Sequence, residues 1–300
     1  MRIVPWCVLL AGVGACLILA CGRAGATSAG PSPVPSPGAT TAPSPAPSAA
    51  ATESPLGPAL IPNDPCTTLS AIVTRPTVTN SVCTVRPKHV LLETGIQDTW
   101  YTGGGATLQV PQALVRVGSE LAGLEFDFQL PSYQHSTVGG TSASGVTDGA
   151  LGLKYIVGAS PKFNFGVQTS FTIPVGTSGF SAGGTIQNYA VNAALSLGPV
   201  FELESTQNVS IENNGRQSWT SYQPTLVVNA TLPSTTLSLF GEAALFTNAV
   251  GPVTPTRTQI MLGASEDPTP RLQLDLEYGF SPTLGTGKYG YLGAGLSYYH

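Results

Sequence analysis

Charged residues occupy alternate positions in several short apolar segments. Glu125 and Asp127 alternate with leucine and phenylalanine in residues 124–130, and the pattern recurs in residues 272–278. The same parity collects eight acids and two bases on one face: Glu93, Arg116, Glu125, Asp127, Lys154, Glu202, Glu204, Glu242, Asp275 and Glu277. If these side chains are enclosed inside the protein, the sequence is compatible with two arrangements and does not decide between them. One is a packed interior in which Arg116 and Lys154 pair with Glu125, Asp127 or Asp275. The other is a narrow acidic pore, because rings of carboxylates favour cations.

The elements that must position these residues are β-strands. A period of two places the apolar and polar sets on opposite faces of a strand, and strands of about ten residues with this pattern are typical of an antiparallel transmembrane β-barrel. We expect about 12 strands, with about 10–14 compatible with the pattern. The segments are 89–101, 106–117, 121–131, 147–157, 163–173, 187–197, 200–211, 218–232, 236–246, 256–266, 271–280 and 289–299. The connections 132–146, 174–186, 212–217, 247–255 and 281–288 are longer than their neighbours and are predicted to face outside.

Composition supports a membrane location. Only 9% of the 300 residues are charged, whereas an ordinary soluble domain carries about 25%. No apolar run of about 18 residues or more lies beyond residues 1–20, so a closed sheet is the remaining way to cross a bilayer. The net charge of −4 excludes a nucleic-acid binder that neutralises phosphates.

A secreted β-sandwich is the alternative fold. Its solvent-facing side should be rich in charge, whereas the second face here is small and polar. Aromatic residues also cluster near segment ends, as an interfacial girdle requires. These residues are Trp100, Tyr101, Tyr133, Tyr155, Tyr222, Phe280, Tyr289, Tyr291, Tyr298 and Tyr299.

The N-terminal part predicts export followed by a tether. Residues 1–20 form a lipoprotein-type signal peptide, with Cys21 as the lipidated residue, although cleavage after Ala26 is also possible. Residues 21–65 are rich in Pro, Ser and Ala and are predicted to be a disordered linker. Residues 66–88 are predicted to be closed by a disulfide between Cys66 and Cys83, because the compartment is oxidising. The barrel occupies 89–300.

Enzyme chemistry finds little support, so we predict that the chain is not an enzyme. A lipid hydrolase would need a histidine beside a serine at the lipid interface, and His135-Ser136 is adjacent only in sequence. Residues 179–183 match the nucleophile-elbow spelling, but that motif needs a strand, a sharp turn and a helix. No metal-ligand cluster is visible in the sequence, and we expect neither a metal nor a cofactor.

Several motifs resemble one family of bacterial barrels. Residues 75–81 read Arg-Pro-Thr-Val-Thr-Asn-Ser, and residues 87–95 read Pro-Lys-His-Val-Leu-Leu-Glu-Thr-Gly. In their residues and in their order along the chain, these motifs resemble the phenol-degradation (MetA-type) outer-membrane barrel family. The resemblance extends from roughly residue 72 to the end. The resemblance implies a transporter or porin-like channel in the bacterial outer membrane, for small molecules that include apolar ones. The expected partners are outer-membrane lipid, the barrel-assembly machinery and an unidentified small solute. The alternatives are a non-conducting structural barrel of the envelope and, with less support, a lipid hydrolase.

Overall fold

The described part of the chain is mostly β-structure. The computed structural model describes Leu56 and residues 64–214, 216–248, 256–282 and 288–300. The predicted signal peptide, Cys21, the cleavage site at Ala26 and nearly all of the predicted linker lie outside these residues and remain predictions. The single described helix, α1, is Leu69–Ile72. No described helix has the length and apolar character that crossing a membrane would require.

Twelve strands form the sheet, three of them in two segments. In chain order they are β1 (Val90–Tyr101), β2 (Gly105–Val110 and Leu114–Gly118), β3 (Leu124–Gln129 and Tyr133–Val138), β4 (Thr141–Val146 and Gly149–Gly158), β5 (Phe163–Ile173), β6 (Gln187–Ser196), β7 (Phe201–Asn213), β8 (Ser218–Thr231), β9 (Leu237–Phe246), β10 (Arg257–Thr269), β11 (Leu272–Phe280) and β12 (Tyr289–Tyr299).

The sheet closes on itself. Each strand pairs antiparallel with the next along the chain, and β1 pairs with β12 over eleven positions, from Leu91↔Tyr299 to Tyr101↔Tyr289. Closure leaves no free edge, so the backbone hydrogen bonds of the wall are satisfied within the sheet. The prediction of a twelve-stranded antiparallel barrel is therefore confirmed.

The interruptions in β2, β3 and β4 lie side by side. Pro111 and Pro131 provide no N–H for the ladder of hydrogen bonds. One backbone hydrogen bond spans each break, from Gln112 N–H to Gly95 O (2.8 Å) and from Leu130 N–H to Ala113 O (2.9 Å). An irregular step in a strand re-aims its side chains. In β3 the exposed apolar residue is Phe128 before the break and Tyr133 after it, so the inward parity changes there.

The prediction of a loop over residues 132–146 is wrong, because most of this segment forms a β-hairpin. The second segment of β3 pairs with the first segment of β4. The turn between them is Gly139-Gly140, with φ of 58° and 80°. Two consecutive residues in the left-handed region are what a tight hairpin turn needs, and glycine adopts them without strain. The arms on either side of this turn are rich in serine and threonine, so they lack the contrast between apolar and polar faces that marks the other strands.

The two faces of the wall have opposite character. Phe126 and Leu274 are 41% and 45% exposed on the outside, whereas Glu125 and Asp275 of the same strands are buried. A continuous apolar exterior around a closed sheet is suited to acyl chains. Four girdle predictions are wrong: Tyr289, Tyr291 and Tyr299 share the inward parity of Ser297 on β12, and Tyr101 shares the inward parity of Glu93 on β1.

Candidate functional site

The centre of the lumen is a buried charge network around Arg116 on β2. Its guanidinium lies 2.8 Å from Glu93, 2.9 Å from Glu125 and 3.8 Å from Asp127, and Lys154 on β4 lies 2.9 Å from Glu125. These contacts cross neighbouring strands, because Arg116 faces Asp127 across β2–β3 and Glu125 faces Lys154 across β3–β4. Paired charges and hydrogen bonds offset part of the cost of removing such groups from water.

Residues 64–88 lie inside the barrel, and we call them the plug segment. The carboxylate of Glu93 accepts hydrogen bonds from the backbone of Thr74 (3.1 Å) and Arg75 (2.8 Å), and that of Glu125 accepts one from Val85 (2.6 Å). The wall carboxylates thus cap backbone N–H groups that belong to neither helix nor strand.

Bonds in the other direction complete the docking. Arg116 donates to the carbonyl oxygens of Ile72 (2.6 Å) and Cys83 (2.9 Å), and Lys154 donates to Ser81 O (3.1 Å). The same two bases that neutralise the wall acids therefore also hold the plug segment.

A second attachment lies on β9. Glu242 accepts from the backbone N–H groups of Val78 (2.9 Å) and Thr79 (2.6 Å), and from the hydroxyl of Thr79. The hydroxyl of Thr79 also lies 2.7 Å from the hydroxyl of Thr225 on β8. The plug segment is thus bonded to opposite sides of the wall, which fixes its course across the lumen.

The third attachment is Arg75, which pairs with Asp275 on β11 at 3.2 Å and donates to Gln112 at 3.1 Å. Its side chain lies over Gly95 and Gly295: a Cβ at either position would come within 2.4 Å of the guanidinium group. Glycine on two adjoining strands therefore makes the room that Arg75 occupies.

The base of the plug segment is held by a disulfide and a small apolar core. Cys66 and Cys83 are bonded, which confirms that prediction. Both pack in one apolar cluster with Ile72 of α1, Leu91 of β1 and Tyr299 of β12. Arg86 pairs with Asp64 at 2.7 Å beside this cluster.

The described residues enclose two cavities in the lumen. The outer cavity, about 570 Å³, reaches the ends of β1, β9 and β12 at Tyr101, Phe246 and Tyr289. The inner cavity, about 200 Å³, is lined by wall residues that include Glu202 and Glu204. Residues 75–77 line both cavities, so the plug segment lies between them.

No family model matches the sequence, and no curated protein matches it. Solved structures resemble the fold. An outer-membrane channel from Pseudomonas putida F1 is 12% identical with a TM-score of 0.55, and the match covers 71% of this chain and 94% of that chain. The NanC porin is 11% identical over 68% of this chain and 98% of that chain, with a TM-score of 0.46. The CymD monoaromatic hydrocarbon channel is 10% identical over 71% of this chain and 88% of that chain, with a TM-score of 0.40. Identities this low establish only the fold. This chain has the fold of an outer-membrane β-barrel.

The barrel brings together seven of its ten predicted lumen residues at the plug segment. Six bond to it directly or through a shared ion pair, namely Glu93, Arg116, Glu125, Lys154, Glu242 and Asp275. Asp127 lies beside Arg116 and accepts from Gln168 (3.3 Å). The other three stand apart: Glu202 and Glu204 line the inner cavity, where Asn229 donates to Glu204 (2.6 Å), and Glu277 lines the outer cavity.

The sequence alone does not place Arg75 in the lumen of the barrel. Arg75 belongs to a motif that resembles the MetA-type family, in a segment that precedes the first strand. The signal that could have found it is the pair Gly95 and Gly295, which interrupt the inward face of two strands at adjoining positions.

Loss of the disulfide should loosen the plug segment and spare the wall of the barrel. The bridge spans a sequence separation of 17, for which loop entropy gives about 3 kcal/mol. In Cys66→Ala/Cys83→Ala protein, limited proteolysis should cut within residues 64–88 while the barrel keeps its folded, heat-modifiable mobility on gels. Reduced wild-type protein should behave in the same way. Equal protease resistance in the oxidised wild type and the double variant would show that the bridge does not hold the plug segment.

Proposed function

We propose that the protein is a porin-like channel that passes small molecules across the bacterial outer membrane. The observation that carries this proposal is a closed barrel whose lumen has one cavity on each side of residues 75–77 of the plug segment. Passage then requires that residues 75–77 move or that solutes pass beside them. The likeness in fold to a Pseudomonas putida channel agrees with this use of the barrel.

The finer assignment, to the phenol-degradation (MetA-type) barrels, is part of the same proposal. It rests on the order of the sequence motifs from Arg75 to the final strand. Two of those motifs have physical roles in the structure. Arg75 anchors the plug segment, and Glu93 caps its backbone. The solute itself is not identified by these roles, because both serve the plug segment.

Reconstitution into liposomes tests the channel. We expect osmotic swelling to be fastest with the smallest uncharged solutes and to fall as solute size increases, because the lumen is narrow at the plug segment. Single-channel recordings in planar bilayers should show discrete steps from the same preparation. A refolded barrel that neither swells liposomes nor gives steps would favour the non-conducting structural alternative. The specific observation behind that alternative is the position of residues 75–77 between the cavities.

The hydrolase alternative has one geometric feature. The Nδ1 atom of His135 lies 2.7 Å from Ser144 Oγ, across the hairpin formed by β3 and β4. Ser136, its neighbour in sequence, bonds instead to Thr107 (2.8 Å). A serine nucleophile also needs an oriented base and an oxyanion site, and within the described residues no carboxylate bonds to His135. We therefore propose no enzyme activity.

A further inference from the structure

The outer cavity holds four charged side chains, and three of them have partners. Glu93 pairs with Arg116 at 2.8 Å, and Arg75 pairs with Asp275 at 3.2 Å. Arg257 lies over the ring of Tyr289, 5.6 Å from its centroid. These contacts account for two cations and one anion of the lining.

Glu277 is the fourth charged group. It is 4% exposed and lines the outer cavity, and its carboxylate makes no ion pair or hydrogen bond with any part of the chain that the structure describes. The guanidinium of Arg75, a cation of the same lining, is already shared between Asp275 and Gln112. A carboxylate removed from water without a partner is costly, so this position is suited to a cation from outside the chain.

The local backbone keeps Glu277 directed into the cavity. Glu277 faces Gly293 across β11–β12, and a Cβ at Gly293 would lie 2.3 Å from Glu277 Oε1. The next inward position pairs Gly279 with Tyr291, whose ring fills the space left by that glycine. The carboxylate and the tyrosine ring are therefore diagonal neighbours on the same face of the sheet.

Aromatic rings form the wall beside the carboxylate. Tyr289 lies between Tyr101 and Tyr291, with ring centroids 6.5 Å and 6.4 Å apart. The faces of such rings attract cations, and alkylated ammonium groups are bound in this way. Arg257 already uses one face of Tyr289, which shows that this wall accepts a positive charge.

We propose that the outer cavity contains a binding subsite for small organic ammonium ions, with Glu277 as the counter-charge and Tyr289 and Tyr291 as the apolar wall. A single carboxylate beside aromatic rings suits a cation that has its own apolar surface better than a compact inorganic ion, which prefers several oxygen ligands. The volume of about 570 Å³ lies within the range of about 300–1,000 Å³ typical of small-molecule sites. The inference deepens the proposed channel function and rests on it for the route by which the ion arrives.

Equilibrium binding of choline tests the subsite without requiring conduction. The full-length protein in octyl glucoside is titrated by calorimetry with choline and, separately, with its uncharged isostere 3,3-dimethylbutan-1-ol. We expect saturable binding of choline and at least about tenfold weaker binding of the alcohol, because it carries no charge for Glu277 or the rings to attract. Glu277→Gln should weaken choline binding by a similar factor, and Tyr289→Leu should weaken it less.

Glu202→Gln is the matched control, because Glu202 is a lumenal carboxylate that lines the inner cavity. It should bind choline as the wild type does. Unchanged binding in Glu277→Gln, equal binding of the alcohol, loss of binding in Glu202→Gln, or no binding to the wild type would each overturn the subsite. Failure of the channel is a separate result: a barrel that binds choline without swelling liposomes keeps the subsite, whereas one that conducts without binding choline loses only the subsite.

Discussion

Replacing Arg116 by Met should give the largest loss of stability of any single substitution in the barrel. Arg116 is fully buried and neutralises Glu93 and Glu125, which are also fully buried. Removing one member of a buried ion-pair network costs about 3–5 kcal/mol, because the remaining charges are left uncompensated. The same change also frees the carbonyl oxygens of Ile72 and Cys83 in the plug segment.

Two measurements separate these effects. Urea unfolding in phospholipid bilayers, followed by tryptophan fluorescence, should give a lower free energy of unfolding for Arg116→Met. Limited proteolysis of the intact barrel should show new cleavage within residues 64–88. Arg116→Lys retains the charge but not the forked set of donors, so it should lie between the wild type and the methionine variant.

Arg216→Met provides the matched control, because Arg216 is exposed in the connection between β7 and β8. Surface substitutions of this kind change stability by less than about 0.5 kcal/mol. If Arg116→Met unfolds and is cleaved in the same way as Arg216→Met, the charge network does not hold the plug segment.

The wall of the barrel could be predicted from the sequence because its signal is local. Alternation with a period of two is imposed by the strand itself, and the contrast between lipid and lumen keeps it clear in residues such as Phe126 and Asp127. Where the contrast is weak, the prediction failed. The hairpin at Gly139-Gly140 carries serine and threonine on both faces, so its sequence does not distinguish strands from a loop. The disulfide was predictable for a different reason: Cys66 and Cys83 are the two cysteines outside the signal region.

The course of the plug segment could not be predicted, because its contacts are not local. Thr79 and Glu242 are separated by 163 residues, and Arg75 and Asp275 by 200. Residues 64–88 carry no periodic pattern, and backbone groups make much of the docking, which side-chain identities do not reveal. The alternation predicts an inward face that is rich in acids. It does not predict that backbone N–H groups of the plug segment donate hydrogen bonds to several of these carboxylates. Glu277 has the same inward parity as the other lumenal acids, and only the structure shows that it lines the outer cavity.

Gly295→Ala should release the plug segment at Arg75 and raise single-channel conductance. A Cβ at Gly295 would lie 2.4 Å from Arg75 Nε, and the three nearest atoms all belong to that side chain. Because the backbone can stay in place, we expect the arginine to move and to lose its bonds to Asp275 and Gln112. Hydrogen bonds to charged groups contribute about 1.5–3 kcal/mol each, and residues 75–77 separate the two cavities.

Gly241→Ala is the matched control, because the only atom near its Cβ would be Leu262 Cδ2, at 3.3 Å. That variant should conduct as the wild type does. Arg75→Ala should reproduce the higher conductance, and Gly295→Ala added to Arg75→Ala should change nothing further, because both act through the same side chain. An additive double variant would mean that the methyl group acts on the wall and not on the plug segment. Equal conductance in Gly295→Ala and Gly241→Ala would mean that the pore does not run past Arg75.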